Sequence, residues 1–203
     1  PYSTAFERSQ ILQILKSDAR FRWRQQWVPS ARIHVSLSRA VIASEDDVFA
    51  SHDGVQWQAI EKAWTRNEKA QARSNQKGKP PKVVGGSTIT QQLAKNLFLS
   101  GERNFLRKGQ ELVITLALEA FLSKQRILEI YLNHVEWGKG VFGAQAAAQH
   151  YFSKPASRLQ SWESARLAVM LPRPKYFEKL PQSPYLAERA QVIQGRMASA
   201  VLP

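Results

Sequence analysis

The sequence predicts a mainly α-helical protein, and three observations support this. Apolar residues recur at helical spacing, whereas the alternating polar and apolar runs typical of strands are scarce. Thr88 and Gln91 match the Ser/Thr-x-x-Glu/Gln capping box that opens a helix. The prolines of "LPRP" end another helix. No stretch of the 203 residues resembles an interdomain linker, so we expect a single domain over residues 1–203.

The composition limits the possible partners and chemistry. A formal net charge of +13 and a pI near 10.3 favour anionic binding partners, such as phosphorylated substrates, anionic headgroups or nucleic acid. The absence of cysteine excludes disulfides, thiol catalysis and thiolate metal sites. No window of 18 uncharged apolar residues occurs. The chain begins at Pro1 without Met, and we expect a natural N-terminal segment before it.

The first candidate site is the acidic cluster Glu45-Asp46-Asp47, which follows the apolar run 40–43. The neighbouring residues at helical spacing are Leu37, Ala40, Val41, Ser44 and Val48. This pattern places Glu45 at the edge of a buried face, half sheltered. The acids stand near a helix C-terminus, where the macrodipole disfavours negative charge by about 0.3–1 kcal/mol. Helix stability alone therefore does not explain them.

The helix that starts at Thr88 should carry two stripes. Ile89, Leu93 and Leu97 form an apolar stripe. The polar stripe, which we expect to line a cleft, consists of Thr88, Gln91, Gln92 and Lys95. Before this helix, the basic run 68–82 contains two prolines and a glycine, so we expect a mobile loop there.

The segment 107–122 is apolar nearly all round and is therefore predicted to be a core helix. It carries Glu111 and Glu119 on or beside the buried surface. Desolvation raises the pKa of such carboxyls unless cations or hydrogen bonds compensate.

Several familiar chemistries are excluded by their missing motifs. The sequence has no phosphate loop, no dinucleotide-binding glycine motif, no HExxH and no GxSxG, and its four histidines lack ligand-like spacing. What remains is the pair Glu45 and Glu111. Carboxylates in unequal environments serve glycosyl chemistry, and basic groups around 95–108 would suit a phosphorylated leaving group. On composition alone, unrelated surface acids remain the alternative.

Four motifs occur in order: "EDDVFASHDG", "GGSTITQQLAKN", "RKGQE" and "ILEIYLN". They resemble the successive motifs of the peptidoglycan glycosyltransferases, the family that includes the glycosyltransferase modules of bifunctional penicillin-binding proteins. "VFGAQAAAQHYF" and "LPRP" follow, so the resemblance covers residues 37–197. The chain looks like the monofunctional type of this family. It implies a lysozyme-like helical lobe and a smaller membrane-facing jaw lobe, to which residues 55–105 contribute together with a flexible flap.

The resemblance also implies roles for individual residues. Glu45 would be the general base, and Glu111 would hold a divalent metal, Mg or Mn, or orient basic residues near the donor diphosphate. The phosphate-binding residues would be Lys95, Arg103, Arg107 and Lys108. The residues shaping the cleft would be Asp46, Phe49, His52, Ser87, Thr88, Thr90, Gln91, Gln92 and Asn96. Gln110 stands where many members of the family have Lys.

The implied partners are lipid II, the growing glycan strand, the membrane surface and other cell-wall synthesis or division proteins. No organic cofactor and no nucleic acid is expected. The implied location is the periplasmic, outer face of the cytoplasmic membrane, with a single-pass anchor in the segment expected before Pro1.

Three rival interpretations remain open. A lysozyme-like lytic transglycosylase or hydrolase would share the glutamate and the fold, but it would have no leaving diphosphate to bind. A nucleic-acid-binding module would explain the charge, although acids rather than exposed aromatics lie at the centre of the motifs. A passive membrane-attached scaffold would not need Glu45.

Overall fold

The structure is a computed structural model that describes residues 3–17, 23–57, 87–99 and 105–203. It is mainly helical, which confirms the predicted fold class, a helical lobe of the lysozyme-like kind. The predicted loop at 68–82, most of the predicted jaw lobe and Arg103 lie outside the described residues.

The helices and strands follow one another along the chain in a simple order. The helices are α1 (Ala5–Ser17), α2 (Val35–Glu45), α3 (Ile89–Phe98), α4 (Phe105–Phe121), α5 (Lys124–His134), α6 (Ala144–Phe152), α7 (Ser161–Met170), α8 (Pro174–Phe177) and α9 (Pro184–Arg196). The strands are β1 (Arg24–Gln25), β2 (Glu136–Gly138) and β3 (Val141–Phe142). They form a small sheet of order β1-β3-β2, with β1 parallel and β2 antiparallel to β3.

Helix α2 lies in the centre of the core and packs against α7 and α9. Leu37, Ala40 and Val41 are fully buried, as their spacing predicts. Val48 does not continue this face, so its inclusion was wrong. The helix ends at Glu45, and Val48 is 45% exposed beyond it. The core thus holds α2 rigidly and fixes where its last residue stands.

Helix α3 begins with the predicted capping box. The backbone N–H of Gln91 donates to Thr88 Oγ1 at 3.1 Å, and the N–H of Thr88 donates to Gln91 Oε1 at 3.0 Å. Each bond satisfies an N–H that the helix itself leaves unpaired. Ile89 and Leu93 are fully buried on the opposite stripe. The prediction of this helix and of its apolar face is confirmed.

Helix α4 differs from its prediction as a core helix. One side packs on α3, but Val113, Leu116 and Phe121 are 67%, 47% and 86% exposed. Together with Phe98 of α3 they belong to an apolar surface that contains a groove of about 470 Å³. The prediction was wrong because all-round hydrophobicity does not distinguish a core helix from one with an exposed apolar face.

Among the helices that the structure describes, none combines the length and the apolar character needed to cross a bilayer.

Candidate active site

A polar cleft lies where the end of α2, the start of α3 and the turn after α7 meet. Its cavity has a volume of about 530 Å³. The residues that line it are Ser44, Glu45, Gln56, Ser87, Thr88, Gln92, Lys95, Leu171 and Pro172. The cleft therefore brings the carboxyl group of Glu45 and the amine of Lys95 into one cavity.

Glu45 is half-buried and receives two hydrogen bonds. Gln92 Nε2 donates to its Oε2 at 2.9 Å, and Ser44 Oγ donates to its Oε1 at 3.3 Å. Burial raises the pKa of Glu45 above its ordinary value of 4.5, the two hydrogen bonds lower it, and the charge of Asp46 raises it. The carboxylate is consequently a stronger base than one in water while staying accessible from the cleft.

Asp46 lies beneath the cleft rather than in it. It is buried and accepts from His52 Nε2 at 2.9 Å, from Gln56 Nε2 at 2.5 Å and from the backbone N–H of Ile89 at 3.0 Å. Gly54 N–H donates to His52 Nδ1, so the proton of a neutral His52 is on Nε2, facing Asp46. These bonds tie α2 to the loop that follows it and to α3.

The position of Asp46 explains much of the acidic cluster. The negative charge of Asp46 is unfavourable beside the C-terminus of α2 but favourable beside the N-terminus of α3. Asp46 accepts a hydrogen bond from Ile89, the first N–H group of α3. Structure as well as chemistry therefore accounts for an acid at this point. Asp47, by contrast, is exposed and lies 3.3 Å from an Arg196 nitrogen.

The polar stripe of α3 reaches the cleft, with one exception. Thr88, Gln92 and Lys95 line it, as does Ser87 just before the helix. Gln91 instead turns back to cap the helix.

Three other predicted site residues do not line the cleft. Thr90 is buried and donates to Glu119 Oε1 at 2.5 Å, and Glu119 also accepts from Lys124. Phe49 is fully buried, and the amine of Lys124 lies 4.6 Å from the centroid of the Phe49 ring. Asn96 is also buried. Thr90 and Asn96 belong to α3 itself, and the part of all three residues in the site remains a prediction.

Glu111 lies on α4 and does not line the cleft cavity. It is buried and paired with two cations of its own helix. Arg107 Nη1 is 3.4 Å from Oε2, and Lys108 Nζ bonds Oε1. Gln110, where the resemblance led us to expect Lys, is exposed.

The predicted metal site does not fit this arrangement. Both oxygens of Glu111 face cations, and within the described ranges no group of three or more His, Asp or Glu side chains is placed to hold a metal ion. The other predicted role, orienting basic residues, matches the contacts that Glu111 makes.

Sequence reasoning missed several contributors. Ser44, Gln56, Leu171 and Pro172 line the cleft. The signal for the last two was present in "LPRP", which predicted a helix end but no site. Tyr131 was also missed, although "ILEIYLN" contains it. Its hydroxyl donates to Gln92 Oε1 at 2.8 Å.

The cleft holds a sheltered, hydrogen-bonded glutamate beside an amine, and a carboxylate of this kind can move the proton in glycosyl chemistry. Comparison with known proteins identifies the family. The family model described as Transglycosylase matches residues 10–198. The chain belongs to this transglycosylase family, which confirms the resemblance read from its motifs.

Named relatives match along the whole chain. Proteins called biosynthetic peptidoglycan transglycosylase from Burkholderia thailandensis and Burkholderia pseudomallei are 55% and 56% identical over 203 residues, which is 100% of this chain and 76% of each relative. A protein of the same name from Herminiimonas arsenicoxydans is 51% identical over 203 residues, 84% of its length.

Proposed function

We propose that this protein is a peptidoglycan glycosyltransferase that polymerises glycan strands. It would transfer the growing polyprenyl-diphosphate-linked chain onto the 4-hydroxyl of lipid II and release undecaprenyl diphosphate. The relatives named biosynthetic peptidoglycan transglycosylase support this reaction. The observation that carries the proposal is the placement of Glu45, half-buried and hydrogen-bonded, in the same cleft as Lys95.

In the proposed mechanism Glu45 takes the proton of the acceptor 4-hydroxyl. The acceptor oxygen attacks the anomeric carbon of the donor, a new glycosidic bond forms, and the bond to the diphosphate oxygen breaks with its electron pair. The diphosphate leaves as an anion and the proton remains on Glu45. A single displacement inverts the configuration. Positioned general-base assistance is worth about 10² to 10⁴ in rate.

Basic residues would stabilise the departing diphosphate. Lys95 reaches the cleft from α3, and Arg107 and Lys108 stand one turn before Glu111 on α4, with Arg103 preceding them in sequence. Fixed cations at a developing negative charge lower the barrier because they need no reorganisation during reaction. We assign Glu111 the task of orienting Arg107 and Lys108, and no step requires a metal held by Glu111.

The exposed apolar surface of α3 and α4 is proposed to contact the lipid bilayer. It includes Val113, Leu116 and Phe121, and an exposed patch of this kind is typical of an interaction site. The substrate is itself a lipid, and the net charge of +13 favours anionic headgroups. Action at the periplasmic face of the cytoplasmic membrane, a single-pass anchor and contacts with other cell-wall proteins belong to the same proposal.

The lytic alternative is less well supported, because the relatives are named as biosynthetic enzymes and a neutral glycan offers no anion for Lys95. Incubation with labelled lipid II and, separately, with purified glycan strands distinguishes the two. A polymerase lengthens the first and leaves the second intact. Cleavage of the glycan strands without growth from lipid II would overturn the proposal.

A further inference from the structure

A chain of two hydrogen bonds connects the core to Glu45. Tyr131 of α5 is fully buried, and its hydroxyl donates to Gln92 Oε1 at 2.8 Å. Gln92 Nε2 then donates to Glu45 Oε2 at 2.9 Å. Tyr131 is 39 positions from Gln92, and Gln92 is 47 from Glu45, so only the fold brings the three together.

The two bonds require the same orientation of the Gln92 amide. A carboxylate only accepts hydrogen bonds, so the NH₂ group must face Glu45. The carbonyl oxygen then faces Tyr131, whose hydroxyl is a donor. If the amide turned over, its oxygen would oppose the Glu45 carboxylate.

Tyr131 is well suited to remain a donor. Burial raises its pKa well above 10, and the charges of Glu45 and Asp46 raise it further. Its ring lies in the hydrophobic core, so the hydroxyl has a fixed position.

We propose that Tyr131 is a positioning residue for the general base: its hydroxyl fixes the Gln92 amide so that the NH₂ group always faces Glu45. The proposal rests on the proposed function of Glu45. Its consequence is that a neutral amide, Gln92, stabilises the deprotonated, reactive form of Glu45. Burial raises the pKa of Glu45 and the hydrogen bond from Gln92 lowers it, so the two effects oppose each other.

The test is Tyr131→Phe, which removes only the hydroxyl. Without this anchor the amide donates to Glu45 for less of the time, so the pKa of Glu45 rises. The acid limb of the kcat/KM profile on lipid II should move to higher pH by up to about one unit, equivalent to roughly tenfold at low pH. KM at high pH should change little. Among the described residues, the charged or titratable groups near Glu45 are Asp46 with its partner His52, Lys95 and Tyr131 itself. The substitution leaves Asp46, His52 and Lys95 unchanged.

Tyr151→Phe is the matched control. That hydroxyl donates to the Trp137 backbone oxygen at 2.7 Å, and Tyr151 does not line the cleft. The control should lose comparable stability but keep the wild-type pH profile. Equal shifts in both variants would attribute the effect to general loosening and overturn the proposal.

A double-mutant cycle makes the test specific. In a Gln92→Ala background, Tyr131→Phe should produce no further shift of the acid limb. A full shift in that background, or none in the wild-type background, would contradict the positioning role. If wild type itself did not polymerise lipid II, the proposed function would fail instead. Side-chain ¹⁵N spectra of Gln92 in the wild type and in Tyr131→Phe provide a readout independent of substrate, and an unchanged Gln92 amide signal in Tyr131→Phe would contradict the positioning role.

Discussion

The two glutamates that the sequence paired occupy opposite electrostatic settings. Glu45 lines an open cleft and is held by neutral donors, Gln92 and Ser44. Glu111 is buried and paired with Arg107 and Lys108. A carboxylate held by neutral groups retains an affinity for protons, whereas one between two cations mainly fixes their positions. In the proposed mechanism one residue type thus supplies the base at Glu45 and orients the cations at Glu111.

The largest effect should follow from Glu45→Gln. The amide keeps the size of the side chain but cannot take the acceptor proton, so turnover of lipid II should fall about 10² to 10⁴-fold. Labelled polymer and released diphosphate are measured on the same samples. Glu188→Gln, at an exposed glutamate of α9, is the matched control and should retain full activity. Near-normal turnover by a folded Glu45→Gln protein would remove Glu45 from the mechanism.

The next largest effect concerns the apolar surface of α4. Phe121→Ser combined with Val113→Ser should weaken binding to anionic vesicles at least tenfold, since burying one such side chain is worth about 1.5–3 kcal/mol. Vesicle sedimentation is the measurement. Val192→Ser, an exposed valine on α9, should leave binding unchanged. Equal vesicle binding by all three proteins would argue against this surface as the bilayer contact.

Glu111→Gln sharpens the contrast between the carboxylates. Losing the charged partner of Arg107 and Lys108 should lower the free energy of unfolding by about 1–3 kcal/mol and reduce kcat. The acid limb of the pH profile should stay in place, because Glu111 is not the base. Urea unfolding and pH-dependent kinetics test both parts. A displaced acid limb would mean that the roles of the two glutamates were assigned wrongly.

The smallest effect is on the pH dependence of stability. Because burial raises the pKa of Glu45 in the folded protein, its contribution to stability is greatest below 4.5 and is lost as pH rises through the folded pKa. As pH rises from 4.5 through the folded pKa, the free energy of unfolding of Glu45→Gln should therefore fall less than that of wild type. Identical slopes in urea unfolding would show that the pKa of Glu45 is not raised.

The sequence predicted what depends on local pattern. Thr88 and Gln91 predicted the start of α3, and the spacing of its polar residues placed Gln92 and Lys95 in the cleft. Contacts distant in sequence were not predictable. The hydrogen bond from Ile89 N–H to Asp46 and the one from the Tyr131 hydroxyl to Gln92 arise only when separate elements pack. The exposed face of α4 was missed because hydrophobicity does not report what covers a surface.

The central claim is that Glu45, sheltered and held by the neutral donors Gln92 and Ser44, is the group whose deprotonation permits glycosyl transfer. The most direct test is the pH dependence of kcat/KM for wild-type protein acting on lipid II. We predict an acid limb with a midpoint above 4.5, which is absent from the residual activity of Glu45→Gln. A wild-type rate that stays flat below pH 4.5, or the same limb in the variant, would contradict the account.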